Sequence, residues 1–162
     1  AGEILGKFNL IKGDFMCNIK IDGLKSLKNM LLPIFQQYEV HTAYLFGSRA
    51  TGNAYEDSDY DIGCLFKKFD PKQHNIDFIV ALQMELEEAL APMAVDLALL
   101  DSAPIVLRYE VISGGIVLFC EGDDFRTDFE DMVLRDYLDF KPFLDQYDRE
   151  VLEAIQGGHF FA

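Results

Sequence analysis

With 162 residues, half of them hydrophobic and 26% charged, the chain has the composition of a folded protein with a real core, not of a disordered segment. Its 14 Lys and Arg stand against 28 Asp and Glu, a formal net charge of −14. That balance argues against duplex DNA or anionic membrane as the main partner, because phosphate backbones are held by clustered Lys and Arg. Anionic substrates are compatible with it only where cations bridge the like charges. Cys17, Cys64 and Cys120 are odd in number, far apart and set among apolar residues, which predicts reduced core thiols and no disulfide framework. No apolar run reaches membrane-spanning length and the first residues lack a signal-peptide pattern, so the expected location is cytoplasmic. With no internal repeat, low-complexity tract or Pro/Gly/Ser linker, residues 1–162 read as a single domain. Its core lies at about 22–120, with a helical C-terminal segment at about 125–155.

In chain order, Leu24, Leu27, Met30, Leu31, Ile34 and Phe35 recur at helical spacing, predicting an amphipathic helix from Asp22 to Tyr38 with a kink or break at Pro33. Thr42 to Phe46 is a short β-prone run halted by Gly47. A polar, glycine-containing stretch from Gly47 to Ser58 leads into a second strand, Asp59 to Phe66. Asp70-Pro71 predicts a helix start, Asp as cap and Pro at the first helical position, with the helix running through Leu90 to near Pro92. Met93 to Leu100 is a third strand, apolar except for Asp96. A helix follows from Ile105 to Ile112, then a strand at Val117 to Phe119. Thr127 to Leu152 is largely helical, interrupted by Pro142. The order predicts an α+β (mixed α/β) fold, a small mixed sheet flanked by helices, with a helical C-terminal tail.

Two residues apart on a strand, Asp59 and Asp61 project from one face, while Tyr60, Ile62, Cys64 and Phe66 line the other, apolar one. Two adjacent like charges repel, and one tends to keep a proton unless a cation intervenes; Mg²⁺ is the divalent cation that prefers carboxylate oxygens. Asp96 is the lone charge of its strand, and an unpaired buried carboxylate is expensive. If the two strands are neighbours, the three carboxylates form a cluster able to hold two metals about 3.5–4 Å apart, an arrangement for in-line attack at phosphorus. Taken singly, each feature has an ordinary explanation, a solvated strand end or an edge-strand salt bridge. Together, behind Gly47-Ser48, they point to chemistry. A glycine after a strand lets backbone approach a ligand, adjacent amides can cradle phosphate oxygens, and Ser48 adds a hydroxyl donor. Arg49 and Arg108 are the candidates for neutralising a triphosphate, the alternative for Arg49 being a surface salt bridge to Glu56 or Asp57.

Other motifs fail on register. Asp57-x-Asp59-x-Asp61 starts like a calcium-binding EF-hand loop, but Ile62 stands where Gly is required and Lys68 where the bidentate Glu belongs. Gly47-x-x-x-x-Gly52 starts like a P-loop, but Asn53-Ala54 replaces Lys-Ser/Thr. His41, His74 and His159 are scattered without zinc-ligand spacing, and Ser102 and Ser113 lack a nucleophile-elbow setting.

Gly47-Ser48, ten residues, then Asp59-x-Asp61 and the isolated Asp96 resemble the DNA polymerase β-type nucleotidyltransferase superfamily. Gly47 through Asp61, read as Gly-Ser-Arg-Ala-x-Gly, five residues, then Ser-Asp-x-Asp, is similar to the minimal nucleotidyltransferases. Tyr137-Leu138-Asp139-Phe140 looks like the C-terminal segment of the antitoxin members, which pair with HEPN-domain RNase toxins. The resemblance implies that Asp59, Asp61 and Asp96 are the catalytic and metal-binding residues, holding two Mg²⁺. It implies that Gly47, Ser48 and Arg49 bind the nucleotide, with ATP as substrate. It also implies that the chain transfers AMP to a tyrosine of a HEPN toxin, or binds that toxin, and so neutralises it. The competing expectations are a small-molecule transferase of the aminoglycoside type, whose cationic substrates also suit an acidic cleft, and a non-catalytic toxin-binding module.

Overall fold

The computed structural model describes residues 21–158, so Cys17 and His159 lie outside the described residues. Helix α1 (Ile21–Gln37) is followed by strand β1 (Thr42–Phe46), a one-turn helix α2 (Ser48–Thr51) and strand β2 (Tyr60–Leu65). Then come α3 (Ile76–Leu90), β3 (Val95–Leu99), α4 (Ile105–Gly114), β4 (Ile116–Cys120) and the long α5 (Asp123–Gln156). The four strands form one sheet in the order β3-β2-β1-β4. β1 runs antiparallel to both neighbours, and β2 and β3 are parallel, joined through α3. The sheet is therefore mixed, as expected.

Each face of the sheet has its own helical cover, and the alternation of side chains along the strands divides the core accordingly. On one face Ala43, Leu45, Ile62, Cys64, Val95 and Leu99 meet Leu27, Leu31 and Phe35 of α1 and Leu82, Leu86 and Leu90 of α3. On the other, Tyr44, Phe46, Leu65 and Leu100 meet Val111 of α4 and Phe129 and Val133 of α5. Tyr44, with 1% of its surface exposed, donates its hydroxyl to Glu130 Oε1 at 2.8 Å, which fastens α5 to the middle of the sheet.

Several boundaries differ from expectation for local reasons. Pro33 does not break α1, because it lies on the solvent side while Leu27, Leu31 and Phe35 hold both halves of the helix against the sheet. Pro142 likewise sits exposed within a continuous α5. Asp70-Pro71 starts a turn, not α3: the Asp70 side chain accepts from Lys72 N at 2.9 Å, and Asn75 is the cap, its Oδ1 accepting from Phe78 N at 3.2 Å. The sequence reading missed α2, whose single turn has no hydrophobic period to show it. Of the cysteines, Cys64 is buried, its thiol pushed well up by desolvation, whereas Cys120 is half-buried. Among the described residues no helix is long and apolar enough to cross a membrane.

Candidate active site

Strand register brings the expected residues together. β1 ends at Phe46, which pairs with Asp61 of β2, and Asp61 in turn pairs with Asp96 of β3. A bond from Tyr60 N to Ala94 O at 2.9 Å sets where the parallel pair begins. The two aspartates are thus direct neighbours across the ladder, on the face covered by α4 and α5. Asp59, exposed, sits just before β2 with the same parity.

Gly47 follows Phe46 and turns the chain over this row. Its backbone (φ 68°, ψ −151°) lies in a region that side chains with a Cβ rarely adopt, and a Cβ there would collide with the Asp61 carboxylate. Glycine is therefore required on both counts. The Gly47 carbonyl accepts from Ala50 N and Thr51 N at 3.1 Å each, which winds α2 directly over the end of β1, with the half-buried Ser48 as its first residue.

Arg49 is held by the loop that leads into Asp59. Its Nε donates to Ser58 O at 2.8 Å, Nη2 donates to Ser58 O and to Glu56 O at 3.2 Å, and the guanidinium lies 4.0 Å from the centre of the Tyr60 ring. It bonds to the Glu56 backbone; the salt bridge to a Glu56 or Asp57 carboxylate considered from sequence is not formed. Arg108 is not at this site. Its Nη2 donates to Asp101 O at 2.6 Å, beyond the C-terminal end of β3, whereas the carboxylates lie at the N-terminal ends of β2 and β3. The clefts of about 570 and 390 Å³ around Phe66 and Lys67 also belong to that far end, whereas Asp59 and Asp96 are exposed at the opposite end of the sheet.

Electrostatically the row is unbalanced. Burial, then the neighbouring charges of Asp96, Asp59 and Glu110, holds the Asp61 carboxyl above its ordinary range. Among the described residues the ion pairs are Arg126 with Asp123 and Glu130, and Lys141 with Asp145, all on α5; none touches the three aspartates. No three acidic, histidine or cysteine side chains among the described residues close into a cage around an ion. An open row of oxygen donors with uncompensated charge fits Mg²⁺, which keeps several waters and shares its ligands with substrate phosphates. Glu110 of α4 escaped the sequence reading: its nearness to Asp61 comes from packing α4 across the sheet, and no local spacing announces it.

A model of the family described as Polymerase beta, Nucleotidyltransferase matches residues 29–124, more than half of the chain. None of the curated proteins matches it significantly. Among solved structures, a chain from a toxin–antitoxin crystal structure with AMP-PNP is similar, with TM-score 0.66, 24% identity, and coverage of 77% of this chain and 98% of that one. A chain of the tri-AMPylated Shewanella oneidensis HEPN toxin in complex with MNT antitoxin gives TM-score 0.65 and 21% identity, covering 80% and 98%. The toxin–antitoxin pair MntA-HepT gives 0.62 and 22%, covering 79% and 98%. At these identities the likeness shows a shared fold.

Proposed function

The chain belongs to the polymerase beta nucleotidyltransferase family, and we propose that it is a Mg²⁺-dependent transferase that moves AMP from ATP to a tyrosine of a HEPN-domain RNase toxin, acting as its cytoplasmic antitoxin. The observation that carries the reading is the Asp61–Asp96 register pair, with Asp59 beside it and Gly47 folded over Asp61. The structural neighbours support the partner and the nucleotide: one is a toxin–antitoxin structure with AMP-PNP, another contains a tri-AMPylated HEPN toxin. The whole of residues 1–162 works as one catalytic unit with a helical tail.

Phosphoryl-type transfer asks a protein chiefly for positioning and for neutralisation of charge. Asp59, Asp61 and Asp96 would hold two Mg²⁺ ions, which supply the positive charge that a triphosphate needs and lower the pKa of the attacking hydroxyl. Gly47 and Ser48 hold the β- and γ-phosphates. Arg49 lends charge next to them and fixes the loop before Asp59 through its bonds to Ser58 and Glu56. The acceptor oxygen forms a bond to the α-phosphorus while the α-phosphorus bond to the bridging oxygen breaks. Pyrophosphate leaves, and the hydroxyl proton passes toward the Asp96 side of the row. The test is the Asp59→Ala/Asp61→Ala double variant. It should lose AMP transfer to the toxin while keeping its fold by circular dichroism, and undiminished transfer would refute the assignment.

A further inference from the structure

At the end of the sheet opposite the aspartate row, the end of β2, the loop after it, α4 and α5 border a cleft of about 390 Å³. Small-molecule sites run from about 300 to 1,000 Å³, so the cleft has the size of one. Its walls are apolar and rich in rings: Phe66, Phe69, Phe125, Phe129 and Met132, with Phe66 and Phe129 buried. Leu65 also lines it, about 13 Å along β2 from Asp61, so the cleft is no part of the metal row. Four charged side chains complete the lining, and among the described residues none of them is in an ion pair. Asp101 has a partner, its Oδ2 accepting from Phe66 N at 2.9 Å, while Lys67 and Asp128 are exposed to water. Arg108 differs from all three. It is half-buried and its Nη2 donates to Asp101 O at 2.6 Å, but its Nε is buried without an acceptor and its Nη1 makes no bond among the described residues.

We propose that this cleft binds a small aromatic carboxylate, its ring among the phenylalanine side chains and its charge on Arg108 and Lys67, apart from the nucleotide site. A guanidinium offers five N–H donors and no acceptor, so what the cleft lacks is an acceptor, and carboxylate oxygens suit the guanidinium fork best. Rings lining a pocket favour a planar ring between them, by edge and face contacts. The two carboxylates of the lining decide the amount of charge. Asp101 and Asp128 offset Lys67 and Arg108, so a single negative charge is accepted where a triphosphate would be repelled. The proposal does not depend on the transferase reaction.

The chain contains no Trp, so an indole probe can be followed by its own fluorescence. The test titrates indole-3-acetate with the full chain and compares tryptamine, the same ring with a positive charge. Indole-3-acetate should bind with a Kd below about 1 mM and at least tenfold more tightly than tryptamine. Arg108→Gln should weaken it at least tenfold. Because Arg108 also holds the Asp101 carbonyl, Met132→Asp serves as a second variant: it sets a negative charge in the lining at a 40% exposed position and should weaken binding at least tenfold. Asp59→Ala/Asp61→Ala, at the other end of the sheet, should change it less than twofold. Absence of binding up to about 10 mM overturns the proposal, water then completing the bonds of Arg108. Equal binding of tryptamine overturns it too, as does indifference to Met132→Asp. Displacement of the probe by ATP also overturns it, since the probe would then occupy the nucleotide site.

Discussion

Gly47 and Asp61 explain each other. The turn after β1 passes so close to the Asp61 carboxylate that only a hydrogen atom fits at position 47, and the positive φ demands glycine independently. Gly47→Ala should therefore cost at least about 1 kcal/mol, read from a denaturant midpoint, and should abolish transfer by displacing Asp61. Asp61 has a titration signature as well. Its folded-state pKa is raised by burial and by Asp96, Asp59 and Glu110, so folding favours the protonated form. The stability that protonation brings is complete below the ordinary carboxylate range and is lost as pH rises through the raised value. Asp61→Asn should thus melt above the parent at pH 7, the difference closing as pH falls to about 3. Its transfer rate should fall by at least about 100-fold. That Asp59 and Asp61 share a strand parity and that Asp96 stands alone in its strand was legible in the sequence, because both are local signals. Glu110 was not, and neither was the engagement of Arg49 with the Ser58 carbonyl, because both depend on where separate segments meet.

At the level of elements, the four strands stand close to where β-prone runs and their glycine stops predict, and β1 coincides with the expected Thr42 to Phe46. Two of the differences share a cause: proline was read as a kink, break or interruption, yet Pro33 and Pro142 both lie on exposed helix faces whose opposite sides carry the apolar spacing. What no local pattern contains is the strand order, since the parallel pairing of β2 with β3 is what makes Asp61 and Asp96 neighbours. The attachment of α5 is of the same kind. Tyr44 reaches Glu130 across 86 residues, and Tyr44→Phe removes that bond while Arg126 still holds Glu130 at 2.9 Å. Thermal or chemical unfolding should register a loss of about 1 kcal/mol without any change in the sheet.

Across the whole molecule, a two-faced core carries an acidic edge at one end and a projecting acidic helix. Ending the chain after Phe140 removes none of the buried residues of α5, Phe129 and Val133, and leaves the Tyr109–Tyr137 stack in place. The melting temperature should change by less than about 3 °C, measured by circular dichroism. The net charge of −14 was readable from composition and turned attention from duplex nucleic acid to metal ions and a basic partner. The central claim, nucleotidyl transfer to a protein, is tested most directly by incubating the purified chain and Mg²⁺ with the proposed HEPN partner and ATP labelled at either the α- or the γ-phosphate. Label should remain on the partner from α-labelled ATP and not from γ-labelled ATP. Label retained only from the γ-position would mean phosphorylation, and no label from either would contradict protein modification altogether.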